Sequence, residues 1–149
     1  MKLSKTSAWT QEETSRFLRS AVMPMRIATM ADEFPTLCSV WFLFDDESGD
    51  LLCVSHKNSQ LVTDLQRNNR CAFEIAPNEP PYRGVRGKAV VTLTSEQALE
   101  TLTNLLRRYL GGTDSHLAKW LLGRIDDEYV LRLTPVRLTS WDYAERMSK

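Results

Sequence analysis

The chain has 149 residues, 42% of them hydrophobic and 26% charged, which suits one globular domain with a modest core. Its 19 basic and 19 acidic residues balance to zero, which argues against nucleic acid as a partner. No apolar run reaches the ~20 residues of a membrane span, and the stretch MKLSKTSAWTQEE lacks the apolar centre of an export signal, so a cytoplasmic location is expected.

Thr10-Gln11-Glu12-Glu13 fits a capping box, and Phe17, Leu18, Ala21 and Val22 supply the apolar stripe of a first helix that stops by Pro24. Arg26 to Met30 then reads as a short strand and Ala31 to Pro35 as a turn. Leu37 to Phe44, dense in β-formers, reads as one strand, joined through a hairpin at Asp45 to Asp50 to a further strand, Leu51 to Ser55. Leu61, Val62 and Leu65 return at helical spacing, and Cys71, Phe73 and Ile75 alternate as in a strand. Beyond the stiff loop Pro77 to Pro81, alternation from Val85 to Leu93 gives a long strand. Thr94 and Gln97 are placed to box a helix with the stripe Ala98, Leu99, Leu102, Leu105, Leu106 and Tyr109, which Gly111-Gly112 stops. A shorter helix, Ser115 to Leu122, leads to a last strand from Tyr129, where Val136 and Leu138 fall out of phase with Leu131 and Leu133. Pro135 marks that slip as a bulge. About six antiparallel strands with three or four helices predict a mainly β fold, a small barrel in a single domain over residues 1–149.

Cys38, Cys53 and Cys71 lie in apolar runs without a CxxC pair, which predicts buried, reduced thiols. No phosphate loop, GxSxG elbow, HExxH or metal-spaced Cys/His set is present, so no metal site is expected and no side chain is assigned a catalytic role. His116 reads as a surface or capping residue, and Asp45-Asp46-Glu47 and Asp126-Asp127-Glu128 as solvated turns. Three stretches carry more. In VSHKNSQLVTDL, Ser55, Lys57 and Ser59 precede a helix start and could meet an anion; a solvated turn capped by Asn58 or Ser59 fits the same residues. PPYRGVRG brings two arginines and a tyrosine to the start of a strand, as a ligand clamp or as a barrel edge. Thr139 to Tyr143 places Trp141 after the last strand, as a ligand cover or as packing.

Together and in this order, MRIATM, PTLCSVWFLF, LLCVSHKNSQLVTDLQRNNR, PPYRGVRGKA and YVLRLTPVRLTSWDY resemble the pyridoxamine 5′-phosphate oxidase-like split barrels that bind FMN, in their short form, over roughly residues 10–145. The resemblance implies a Greek-key-like split β-barrel and a homodimer with a flavin site at the subunit interface. Ser39, Val40, Trp41 and Phe42 would line the isoalloxazine, largely through the main chain. Val54 and Ser55 would meet the ribityl chain and phosphate, and Ser59 and Gln60 would stand at the phosphate anchor. Arg83, Gly84 and Trp141 would approach from the partner subunit. The chain departs from this pattern where Gln60 and Leu61 replace the anchor's arginine and lysine. Lys57 is the expected substitute cation, with Arg26 a weaker one. Leu61 stands either at the phosphate or in the core with Leu65. Cys38 or Ser39 takes the place of the arginine that opens the flavin strand in vitamin B6 oxidases, and Gly84 that of a glutamine, so true pyridoxamine phosphate oxidation is not expected. The expected function is an FMN-dependent oxidoreductase acting on a small molecule. The alternative is a non-catalytic split barrel that holds flavin, deazaflavin or haem.

Overall fold

The structure is a computed structural model describing residues 3–148, so the first two residues of the expected domain and its last lie outside it. In chain order the elements are α1 (Gln11–Ser20), β1 (Met25–Thr29), β2 (Thr36–Val40), β3 (Leu43–Asp45), β4 (Asp50–His56), α2 (Gln60–Arg67), β5 (Arg70–Ile75), β6 (Arg83–Thr94), α3 (Ala98–Leu110), α4 (His116–Leu122), a 3-10 turn (Ile125–Asp127), β7 (Glu128–Asp142) and α5 (Ala144–Met147).

The seven strands form one sheet in the order β2-β1-β5-β6-β7-β4-β3, with every neighbouring pair antiparallel. Its two edge strands, β2 and β3, are consecutive in sequence and joined only by Trp41 and Phe42. Laid flat, six strand spacings would hold those edges about 29 Å apart. The three Cα steps from Val40 to Leu43 span at most about 11 Å. The sheet must therefore curl until its edges meet, which makes it a split barrel. This is also where the strand expected from Leu37 to Phe44 breaks in two, so there are seven strands rather than about six. At the break the Phe42 side chain turns into the core and is fully buried.

The interior holds Met25, Ile27, Leu51, Phe73, Ile75, Leu131 and Leu133, and Leu18 of α1 packs against them. Thr10 and Glu13 make the expected reciprocal capping box. Val22 lies beyond the helix and is exposed, its stripe position being taken by Thr14. In β7 the slip at Pro135 is a bulge: Lys88 pairs with Arg137 and Ala89 with Pro135, which leaves Val136 as the extra residue. Leu138 thereby returns to the inward face with Leu131 and Leu133, while Val136 points out.

Two details of the helices differ from expectation. Thr94 and Gln97 do not box α3; Gln97 caps it with φ of 60° and no side-chain bond, and the Thr94 hydroxyl accepts instead from the Glu96 amide. Leu99 is exposed, and Thr101 is buried on the inward face. The α3–α4 pair forms a second, smaller core of Leu102, Leu106 and Ala118 against Trp41 and Val54, so these helices cover the point where the barrel closes.

Leu61 takes the second of its two expected places. It is 6% exposed and packs with Val62 and Leu65 in the barrel core. Leu61→Lys is accordingly expected to cost about 3 kcal/mol or more through a buried unpaired charge. Thermal melting reads this directly, and a variant that melts with the wild type would return position 61 to the phosphate site.

Candidate functional site

Strand β4 ends in a polar turn that leads into α2. The Ser59 amide donates to the His56 carbonyl at 2.9 Å, the Asn58 amide donates to His56 Nδ1 at 3.1 Å, and the Ser59 hydroxyl caps α2 by accepting from the Val62 amide at 3.2 Å. The Ser55 and Ser59 hydroxyls lie 2.9 Å apart. The amides of Gln60 and Leu61, in the first turn, have no acceptor among the described residues. This turn is bolted to the end of the α4–β7 connection: the Lys57 amide donates to the Asp127 carbonyl at 2.8 Å, and His56 pairs with Glu128 across β4 and β7.

Above the turn is a cavity of about 340 Å³. Of the residues singled out in the sequence, Ser39, Val40, Trp41, Val54, Ser55 and Ser59 line it. Leu102, Leu105 and Leu121 close its apolar side. The Trp41 ring is held in place by stacking on Tyr109, with centroids 5.1 Å apart and planes within 10°. The Tyr109 hydroxyl lies 3.2 Å from the Phe42 amide, from which it accepts, and donates to the Met23 carbonyl at 3.0 Å. α3 thus fixes the backbone at the barrel's closure, and burial raises the Tyr109 phenol above its ordinary value.

The other expected residues lie elsewhere. Phe42 is in the core. Gln60 donates to Asp64 at 2.6 Å, a buried carboxylate that also accepts from Thr29 at 2.8 Å; these bonds, Thr29 first, hold Asp64 below its ordinary range. Lys57 donates its ammonium to the Asp126 carbonyl and lies over the Tyr129 ring. Arg26 is engaged by Glu74, the Ala76 carbonyl and Asn78. Arg83, Gly84 and Trp141 form a separate group where β6 begins and β7 ends. Gly84 pairs with Trp141, and a Cβ on it would lie 2.5 Å from the Ile75 carbonyl oxygen and 3.0 Å from the indole. No side chain larger than hydrogen fits there without moving the strand or the ring.

The cavity also contains His56, Arg124 and Glu128, none of which the sequence assigned to it. Glu128 is not part of a solvated acidic turn. Its side chain is 2% exposed, and its Oε1 lies 2.8 Å from Arg124 Nε without hydrogen-bond alignment on either atom. The Arg124 guanidinium stacks on Trp120, 4.0 Å from the ring centre. The i, i+4 spacing of Arg124 and Glu128 was the available signal, obscured because Glu128 begins a strand right after two solvated aspartates. Two larger hollows, about 520 and 670 Å³, lie on the outer face of β1, β5 and β6 beside Leu37, Ala72 and Val136. Cys53 and Cys71 are buried and unpaired, as expected, and burial raises both thiols; Cys38 is partly exposed. Among the described residues no acidic, histidine and cysteine group has metal-binding geometry, and no helix is long and apolar enough to cross a membrane.

At the level of sequence, no protein-family model and no curated protein matches the chain. Solved structures do. The conserved hypothetical protein Rv2991 of Mycobacterium tuberculosis superposes with a TM-score of 0.79 at 20% identity, over 99% of this chain and 93% of that one. An F420 reductase superposes with a TM-score of 0.68 at 18% identity, over 82% of this chain and 93% of its own. HutZ, a heme storage protein of Vibrio cholerae, superposes with 0.65 at 16% identity, over 86% and 92%. At these identities the likeness is one of fold, and the fold is a split β-barrel.

Burial is the main influence on the Glu128 carboxyl and pushes it above its ordinary 4.5, against the pull of Arg124 and His56. The folded chain therefore holds this proton more tightly than the unfolded chain. That contribution to stability is complete below 4.5 and is lost as pH rises through the raised value. Asp45 and Asp64 shift downward, so their contributions fade only as pH falls below their ordinary 3.8. Denaturant titrations at pH values just above 4.5 should show wild-type stability falling with pH. Glu128→Gln should flatten that slope, and an unchanged slope would assign the titration to another group.

Proposed function

We propose that the chain is a flavin-binding oxidoreductase that takes FMN and works on a small molecule as a two-fold dimer in the cytoplasm. The observation that carries this reading is the convergence of Ser39, Val40, Trp41, Val54, Ser55 and Ser59 on one cavity, at the position where the sequence resemblance puts the flavin. The residues fit such a group. Two serine hydroxyls and the two free amides at the start of α2 offer donors to a phosphate, and the helix start favours an anion. Leu102, Leu105 and Leu121 exclude water from the opposite side, and the clamped Trp41 gives a fixed apolar wall. When bound, the flavin supplies the redox chemistry. The chain's own part is to hold, orient and dry it.

A volume of about 340 Å³ lies at the low end of the ~300–1,000 Å³ of ligand sites, so a whole FMN would extend past Ser39 onto the β2 edge. The outer sheet face beyond that edge carries exposed apolar side chains, Leu37 at 73% and Val136 at 51%, next to the flat surface of Ala28 and Ala72. A second copy laid there would cover this face and bring its own Arg83, Gly84 and Trp141 toward the flavin.

A second reading, a binding protein without turnover, is favoured by the condition of α2. Its first turn, Gln60 to Thr63, carries no cation, Leu61 is in the core, and Gln60 is held by Asp64. The superposition of a heme storage protein on this fold supports the same reading.

The absorption spectrum of the purified protein, before and after adding FMN, separates the readings. Flavin bands saturating at one FMN per chain are expected, with anaerobic bleaching by a reduced donor and recovery in oxygen; a haem band, or no saturable FMN binding, would overturn the assignment. In light scattering at micromolar concentration the expected species is about 34 kDa, twice the 17.1 kDa chain. A single-chain mass would remove the dimer.

A further inference from the structure

We infer that Arg124, entering from the α4–β7 connection, is the cation of the phosphate site in this cavity, and that Glu128 is its resident counter-ion, displaced when a phosphate monoester binds. The inference rests on the reading of the cavity as a flavin-phosphate site and names the residue that completes it.

The site is short of positive charge from every expected source. Helix α2 has none in its first turn. Lys57 gives its ammonium to the Asp126 carbonyl, and Arg26 is tied to Glu74 and Asn78 on the other side of the β2 edge. Among the described residues that line the cavity, Arg124 is the one lysine or arginine. Its placement does not depend on α2. The 3-10 turn that follows it is fastened to the β4–α2 turn by the Lys57 amide on the Asp127 carbonyl, and β7 then begins at Glu128 opposite His56. Arg124 and the Ser55–Ser59 hydroxyl pair are therefore carried on two segments locked to each other.

The state of the pair points to a ligand. The Glu128 carboxyl is nine-tenths buried and more, yet its Oε1 has no aligned donor, and Arg124 Nε beside it has no aligned acceptor. The terminal nitrogens of Arg124 make no hydrogen bond to any described residue. The guanidinium is nevertheless held, by Trp120 on its face. A planar fork that is fixed in position with free outer donors suits a phosphate, which accepts two parallel bonds and carries more charge than a carboxylate. The charged and titratable groups around Glu128 are Arg124, His56 and Asp127, and Arg124, at 2.8 Å, is the one in ion-pair contact with it.

The test is a titration of FMN and of riboflavin, which lacks the phosphate, against wild type, Arg124→Gln, Arg124→Lys, Glu128→Gln and the double variant Arg124→Gln/Glu128→Gln. The double variant removes both charges of the pair, so that Glu128 is not left buried and unpaired, and protects the test if the single arginine variant fails to fold. Wild type should prefer FMN, and loss of Arg124 should cut that preference about 10- to 100-fold, in the single and double variants alike. Arg124→Lys should keep part of it. Glu128→Gln should tighten FMN several-fold and leave riboflavin unchanged, because only the competing carboxylate is gone. Unaltered preference in a folded Arg124 variant overturns the inference while leaving the flavin assignment intact, as does equal binding of the two ligands by wild type. If wild type binds neither flavin, the proposed function fails, and inorganic phosphate then tests Arg124 on its own. Phosphate should raise the wild-type melting temperature more than chloride at equal ionic strength, and the double variant should lose that difference. The same rise in both proteins, or in neither, overturns the assignment.

Discussion

The structure depends on a two-residue join. Trp41 and Phe42 connect the first and last strands of a seven-strand sheet, and so short a link leaves the sheet no option but to curl. Phe42 anchors the join by filling the core, and Tyr109 anchors it from outside by bonding its backbone. Closure and site are one event. The backbone that seals the barrel is the backbone that lines the cavity, and the helix that pins the seal is also one of its walls.

The α3–α4 pair has a role that strand pairing alone would not suggest. It is inserted between the two longest neighbouring strands, β6 and β7, and folds back over Trp41 and Val54. Its return path to β7 brings Arg124 and Glu128 beside the β4–α2 turn. The segment that dries the cavity thus also delivers its strongest charges, on a connection rather than on the barrel. Loops set on a rigid scaffold commonly carry such chemistry.

Much of this was readable from the sequence because it depends on local pattern. Alternation set β5 and β6, the Thr10–Glu13 box set α1, and the phase slip after Leu133 located the bulge at Pro135–Val136 to within a residue. That Ser39, Val40, Trp41, Val54, Ser55 and Ser59 line one cavity was likewise legible, through the order of motifs. What was not legible depends on tertiary distance. The break at Trp41–Phe42 lies in an unbroken run of β-formers, and only the closure requires it. Gln97 has the spacing of a capping box but the backbone of a left-handed turn. Glu128 sits in an acidic triplet that in isolation belongs in water, and it is buried because β7 carries it beneath α4. Leu61 was ambiguous between ligand and core, and helical phase with Leu65 decided it.

The pairing of β4 with β7 has a kinetic meaning. Val54 and Val130 are partners, yet 76 residues separate them, and the hairpins β1–β2, β3–β4 and β5–β6 can all form before that pair meets. Such topology folds slowly, because a long loop must be closed before its contacts return any stability. In the interval the edges of β4 and β7 stand open, both rich in leucine and valine, as templates for a neighbouring nascent chain. During synthesis β7 leaves the ribosome well after β4, because α2, β5, β6, α3 and α4 lie between them. The time between completion of β4 and arrival of β7 is therefore when this chain is most exposed to aggregation, and when a chaperone would have most to protect.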